Sequence, residues 1–206
     1  MELSSLQDSG ALTAILMAVA YLLGSISSAI LVCRLFGLPA PRTEGSHNPG
    51  ATNVMRLGGK PAAALTLLGD VLKGVIPVTV AWQLNLPALH VSLVGFCAFL
   101  GHLLPIFFRF QGGKGVATAF GVLFPLYWPA GLGTGLAWLI VFALFRVSSL
   151  ASMSAFILMP VMIYLKLPAA FWPMLAMSGV MIARHHENIR KLLNGEELGF
   201  RRSGDA

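Results

Sequence analysis

Apolar positions along this chain fall into long runs separated by short polar segments, and the runs have the length of helices that cross a bilayer, about 20 mostly apolar residues each. The first spans Ala11 to Leu35 and contains G-S-I-S-S at Gly24 to Ser28, a small, polar stretch on which helices pack closely. A second covers Ala62 to Leu86 and a third Leu89 to Phe108. Val116 to Tyr127 and Leu132 to Phe145 are shorter runs divided by Trp128, Pro129 and Gly131. Ser149 to Tyr164 and Pro168 to Ala183 form another pair, divided by Lys166 and Pro168, and a hydrophilic tail follows from Arg184. The pattern predicts an all-α integral membrane protein with about seven transmembrane helices, some short or broken. Its N-terminus is expected to be periplasmic and its C-terminus cytoplasmic. Neither a repeat of fixed period nor a low-complexity segment interrupts residues 1–206, which read as a single polytopic membrane domain.

Composition agrees. The chain is 56% hydrophobic and only 11% charged, against roughly 25% charged residues in a soluble domain, and its mean hydropathy is +0.78. Glu2 and Asp8 flank the first run where a secretory signal carries basic residues, and no small-residue cleavage site closes it, so it is expected to remain as a span. The net charge of +6 reads here as orientation signals and an anion site, not as affinity for nucleic acid. Seven crossings with the N-terminus outside place Arg34, Arg42, Arg56, Lys60, Arg109, Lys114, Arg146, Arg184, Arg190, Lys191, Arg201 and Arg202 on one side. Lys166 alone falls in an opposite loop, the asymmetry expected with the basic side cytoplasmic. Joining Val116 to Phe145 into one kinked helix would send the basic tail outside. Half-spans or re-entrant segments remain the alternative for the short runs. Cys33 and Cys97 both fall in spans and imply neither a disulfide framework nor a metal cluster.

This topology puts three polar segments on the cytoplasmic face: Arg42–Lys60, Arg109–Thr118 and Arg184–Glu197. In the first, G-S-H-N-P-G-A-T-N-V-M-R from Gly45 to Arg56 has almost no aliphatic bulk. It offers hydroxyl, amide and backbone donors, a glycine at Gly50 suited to positive φ or close approach, and the charged fork of Arg56. A plain Asn-Pro-Gly turn is the rival reading. In the second, F-Q-G-G-K-G-V-A-T runs straight into an apolar helix. Gly112, Gly113 and Gly115 let backbone N–H groups face an anion, the helix start adds partial positive charge, and Lys114 adds a full one. Phe108 and Gly115 stand where a Walker loop needs Gly and Ser or Thr, so no nucleotide loop is implied. A glycine-rich connection with a snorkelling lysine is the alternative.

In the third segment, A-R-H-H-E-N-I follows the last run and N-G-E-E comes after it. His185 and Asn188 share a helical face if the last span continues, and a histidine is the default proton carrier near neutral pH. Asp70 and Lys73 are three apart on the second run, within pairing distance at membrane depth. His102, beside Pro105, reads as structural, and His90 lies at the outer face. The chain has no H-x-x-x-x-D, H-E-x-x-H, paired Cys-x-x-Cys or G-x-S-x-G. No metal or cofactor is expected.

Together, G-S-H-N-P-G-A-T-N-V-M-R, G-H-L-L-P-I-F-F-R-F-Q-G-G-K-G-V-A-T and H-H-E-N-I-R-K-L-L-N-G-E-E resemble the bacterial acyl-phosphate:glycerol-3-phosphate acyltransferase family, PlsY. G-D-V-L-K-G in the second run and S-S-L after Arg146 also look like family features, and the likeness runs from Gly24 to Glu197. It implies a multi-pass enzyme of the bacterial inner membrane whose active site faces the cytoplasm. Such an enzyme moves a fatty acyl group from acyl-phosphate to the 1-hydroxyl of glycerol 3-phosphate, giving lysophosphatidic acid and phosphate. Its partners are then those two substrates, membrane lipid and the enzyme that supplies acyl-phosphate, with no nucleic acid.

By the same resemblance Ser46, Arg56, His185 and Asn188 are catalytic. Ser46, Asn48, Asn53, Arg56, Gly112, Gly113, Lys114 and Ser149 hold substrate phosphate, with Ser148 and Ser152 competing with Ser149 for that alignment. Glu197, Asp70 and Lys73 support the site. His47 stands where the family commonly has glycine, Gln111 where lysine is common and Ala40 where an acidic residue is frequent.

An acyl-phosphate is an activated mixed anhydride, so such an enzyme mainly positions its substrates and stabilises charge. Direct attack by the glycerol hydroxyl is expected, without an acyl-enzyme, the proton passing to His185 or to the departing phosphate. No base flanks Ser46 in sequence to favour a covalent route. The rival function is a membrane transporter for a phosphorylated organic anion, which Asp70, Lys73 and the broken short runs would suit.

Overall fold

A computed structural model describes residues 2–197 and 199–200, with side chains from residue 10 onward. Arg201 and Arg202, assigned above to the basic face, lie outside the described residues. These residues form α-helices and short 3₁₀ turns, without a strand among them. The chain divides into two compact units at Leu126–Tyr127.

The first unit holds α1 (Glu2–Gly24), α2 (Ser28–Leu35), α3 (Ala51–Gln83), α4 (Ala88–Leu103), a 3₁₀ turn (Ile106–Phe108) and α5 (Val116–Leu126). Helix α1 packs on α4, α2 on α3, and α3 on both α4 and α5. Glycines bring these backbones close. A Cβ on Gly24 would stand 2.1 Å from Ala98 O, and one on Gly121 2.1 Å from Val71 O.

The first apolar run is not one continuous helix: α1 ends at Gly24 and α2 begins at Ser28. The small polar stretch expected to be a packing face is also where the helix breaks. A break frees carbonyls that hydrocarbon cannot satisfy. Lys73 answers one of them, its Nζ donating to Ile26 O at 3.0 Å, while Asp70 Oδ1 neutralises it at 2.9 Å. The three-residue spacing of Asp70 and Lys73 therefore produces the pairing expected, with both side chains buried.

Helix α3 starts earlier than its apolar run, at Ala51, and is interrupted at Gly59, whose φ of 73° and ψ of −168° are essentially open to glycine alone. The turn from Ala51 to Gly58 thus diverges from the span that follows, and it carries Asn53 and Arg56. Helix α4 stops before Pro105, which disfavours helical conformation in the residue ahead of it.

The second unit contains α6 (Trp128–Phe145), α7 (Ser148–Lys166), a 3₁₀ turn (Pro168–Ala170), α8 (Phe171–Ala183) and α9 (His186–Leu193). Helix α7 packs on both α6 and α8. The Trp138 indole donates to Ser152 Oγ at 3.0 Å and its ring stacks on Phe142 at 4.9 Å. Trp128, Pro129 and Gly131 do not form a linker. They make the first turn of α6, where proline needs no N–H partner. The division falls instead at Tyr127, which is extended.

Among the described residues, five helical stretches are long and apolar enough to cross a bilayer: Gly10–Leu35, Ala51–Gln83, Ala88–Phe108, Trp128–Phe145 and Ser148–Lys166. Val116–Leu126 and Pro168–Ala183 are apolar but shorter. At 11 residues, α5 is about 16 Å long, well under a hydrocarbon core of about 30 Å.

Candidate functional site: two converging loops and a C-terminal cluster

The first polar segment is organised by Asn53, whose side chain is completely buried. Its Nδ2 donates to Pro41 O at 2.9 Å and Glu44 O at 3.0 Å, and its Oδ1 accepts the Ser46 N–H at 2.9 Å. One amide thereby fixes three points of the loop that presents Ser46. With both side-chain groups turned to the backbone, Asn53 shapes this loop.

Ser46 and Asn48 are half-buried and Arg56 is exposed. Gly50 caps α3 in an extended conformation, not at positive φ. Space there is close, because a Cβ would stand 2.9 Å from Asn48 Nδ2. The left-handed residues are Gly45, at φ 66°, and His47, at φ 55°. His47 thus occupies a backbone conformation that glycine takes without steric cost. Its Nδ1 lies 3.2 Å from Arg42 O.

In the second segment the expected direction of the double-glycine amides differs from the observed one. Gly112 N–H donates to Leu103 O and Gly113 N–H to His102 O, each at 3.2 Å. A Cβ on Gly112 would stand 2.0 Å from His102 O. These glycines let the chain double back against the end of α4, and that return places Lys114 and Gly115 at the start of α5. Gly115 has a φ of 81°, and its carbonyl accepts the Ala119 N–H at 2.8 Å. What remains suited to an anion is the helix start and the half-buried Lys114.

The two segments meet. A Cβ on Gly113 would lie 3.1 Å from Pro49 O, and the Arg42 guanidinium donates to the carbonyls of Phe108 and Gln111. It also lies over the Phe108 ring, 5.6 Å from its centroid. Partial burial lowers the Arg42 pKa from its ordinary value. Beneath the loops, His102 Nδ1 lies 3.6 Å from Asp70 Oδ1 and 3.2 Å from Thr118 Oγ1.

The third segment belongs to the second unit. Helix α8 ends at Ala183 and does not carry through. His185 caps α9, so His185 and Asn188 are related by a turn and a new helix, not by one continuous face. At the break Arg184 N–H still makes the helical bond to Val180 O, and His185 N–H tightens to the carbonyl three residues back, Ile182 O. His185 is 2% exposed and its Nδ1 lies 2.8 Å from Met181 O. A carbonyl only accepts, so Nδ1 carries the proton and Nε2 is the basic nitrogen.

Glu197 Oε1 collects two donors, Asn188 Nδ2 at 2.6 Å and Ser149 Oγ at 2.5 Å. The single hydroxyl proton of Ser149 is thereby used on a carboxylate. The resemblance assigns Glu197 to supporting the site, while nothing in the sequence names Asn188 and Ser149 as its partners. No group of three or more potential metal-ligating side chains occurs among the described residues.

Residues 14–195 match the family described as glycerol-3-phosphate acyltransferase. A glycerol-3-phosphate acyltransferase of Methylococcus capsulatus is 54% identical over 91% of this chain and 97% of its own length. One of Thioalkalivibrio sulfidiphilus is 54% identical over 86% and 89%. Among solved structures, the glycerol 3-phosphate form of PlsY (YgiH), an integral membrane glycerol 3-phosphate acyltransferase, is 38% identical with a TM-score of 0.87, covering 92% of this chain and 96% of that one. Its lysophosphatidic acid form is 36% identical with a TM-score of 0.85, over 92% and 95%. With the match covering nearly the whole sequence and the same helical architecture, this chain belongs to the glycerol-3-phosphate acyltransferase family.

Proposed function

We propose that this protein acylates the 1-hydroxyl of glycerol 3-phosphate, taking the acyl group from an acyl-phosphate and releasing lysophosphatidic acid and phosphate. The observation that carries this reading is the meeting of the Ser46–Arg56 loop with the Lys114 loop, where Gly113 backs onto Pro49. That brings a serine loop and a lysine at a helix start to one neighbourhood, a chemistry suited to an organophosphate. The solved relatives occur in a glycerol 3-phosphate form and a lysophosphatidic acid form, the acceptor and the product of the proposed reaction.

In this scheme Lys114, Arg56 and Ser46 hold phosphate and developing negative charge. The acceptor hydroxyl oxygen attacks the acyl carbonyl carbon, the new ester C–O bond forms, and the bond to the leaving phosphate breaks. His185 Nε2 takes the hydroxyl proton, or the departing phosphate does. The Nδ1–H held by Met181 O supports the histidine, because it leaves Nε2 as the basic atom. Asn188 is oriented by Glu197. We place the protein in the bacterial inner membrane with seven crossings and the basic segments cytoplasmic, so that water-soluble acceptor meets a donor dissolved in lipid. An enzyme that makes acyl-phosphate is the expected upstream partner.

The test uses purified protein in detergent with labelled glycerol 3-phosphate and either acyl-phosphate or acyl-CoA. Labelled lysophosphatidic acid formed with acyl-phosphate, and not with acyl-CoA, supports the reading. Equal use of acyl-CoA would overturn the donor assignment, and no product with either donor would overturn the enzyme assignment.

A further inference from the structure

The buried imidazole of His102, on α4, lies against α3, α5 and the second loop. The residue is 7% exposed. Nδ1 faces Asp70 and Thr118, so it touches both the ion pair on α3 and the first turn of α5. Its own carbonyl accepts the Gly113 N–H at 3.2 Å. On its other edge, Nε2 fills the space above Gly113: a Cβ there would stand 2.4 Å from Nε2 and 3.3 Å from Cδ2. Gly113 is not at positive φ. Volume, not backbone conformation, therefore excludes a side chain at this position, and the nearest occupant of that volume is the imidazole.

We infer that His102 is a positioning residue: its ring, anchored through Nδ1 to Asp70 and Thr118, sets the height of the double-glycine loop and with it the placement of Lys114. The inference rests on the assignment of Lys114 to the acceptor phosphate. Asp70 is shared between Lys73 and His102, and Lys73 also holds the Ile26 carbonyl at the α1–α2 break. One carboxylate thus ties the break in the first apolar run to the loop that carries Lys114. Loop displacement alters how well the acceptor is bound more than how fast the bound acceptor reacts, so the signature is in KM.

The steric relation supplies a test with its own internal control. Wild type, H102A, G113A and the double variant are purified and compared for thermal unfolding and for KM and kcat with glycerol 3-phosphate. G113A, which drives a methyl group into the ring, is expected to raise KM at least tenfold with kcat within about threefold of wild type. H102A is expected to raise KM several-fold. In the double variant the added methyl group finds the vacated space, with Pro49 O at 3.1 Å still beside it. Its KM is therefore expected below that of G113A alone. Multiplicative effects of the two changes, an unchanged KM in H102A, or losses confined to kcat would each overturn the inference. Should H102A not fold, H102N takes its place, since it keeps a hydrogen-bonding atom beside Thr118 while removing the ring edge over Gly113. If wild type itself fails to acylate glycerol 3-phosphate, the functional assignment falls and the coupling is judged on unfolding temperature. Recovery in the double variant supports it there, and additive losses overturn it.

Discussion

Asn53 Oδ1 holds the Ser46 N–H at 2.9 Å from a fully buried position on the first turns of α3. The same side chain donates to Pro41 O and Glu44 O. N53A would leave two carbonyls and one N–H without this partner, at about 1–3 kcal/mol for each that stays buried and unsatisfied. The expected outcome is a fall in kcat/KM of about 100-fold or more, together with a lower unfolding temperature. Initial rates and thermal scans of the purified variant check it, and near-wild-type activity would show that Ser46 is held by other means.

His47 sits at φ 55°, a conformation that costs a residue with a Cβ about 1–2 kcal/mol. Replacing it with glycine removes that cost and also the contact to Arg42 O, so the two effects nearly offset. H47G is expected to keep activity within about twofold of wild type, whereas H47V, β-branched and unsuited to positive φ, is expected to destabilise the loop and lose most activity. Equal behaviour of the two variants in rate assays would contradict the left-handed assignment.

Glu197 is the shared acceptor for Asn188 and Ser149. E197A removes a charged hydrogen-bond partner worth about 1.5–3 kcal/mol, and a fall in kcat of about 10- to 100-fold is expected. E197Q keeps an Oε1 acceptor and should retain much more activity. Comparing kcat for the two variants decides whether the oxygen orients Asn188 or the residue only fills space.

Ser149 was expected to contact phosphate, but its hydroxyl proton goes to Glu197. S149A should therefore leave the KM for glycerol 3-phosphate within about twofold and lower kcat modestly. A KM raised tenfold would return Ser149 to the phosphate site.

Much of this was legible because it depends on short spacings. Asp70 and Lys73 pair across one turn, and the apolar runs from Val116 onward mark their helices to within a few residues, whereas α3 begins at Ala51, well ahead of its run. Other features depend on partners distant in sequence. Nothing near Ile26 announces that its carbonyl will be taken by Lys73, and an apolar run conceals a helix break as long as its flanks stay apolar. Gly112 and Gly113 read as anion donors because a glycine pair before a helix offers free amides, and the returning end of α4 consumes both. His185 loses its place on a continuing helix where its N–H tightens to Ile182 O, three residues back, at the end of α8. Of the two uses open to Gly50, it takes the close approach, while Gly45 and His47 take the left-handed conformation. Composition marks a glycine-bearing loop and does not say which residue turns left-handed.

The central claim is that the Ser46–Arg56 loop and the Lys114 loop grip one phosphate. Its most direct test is equilibrium binding of labelled glycerol 3-phosphate, without donor, to purified wild type, K114A and K166A. Loss of a partly buried charge-assisted contact is worth about 1.5–3 kcal/mol, so K114A is predicted to bind about 10- to 100-fold more weakly, with K166A unchanged. Wild-type affinity in K114A would contradict the account.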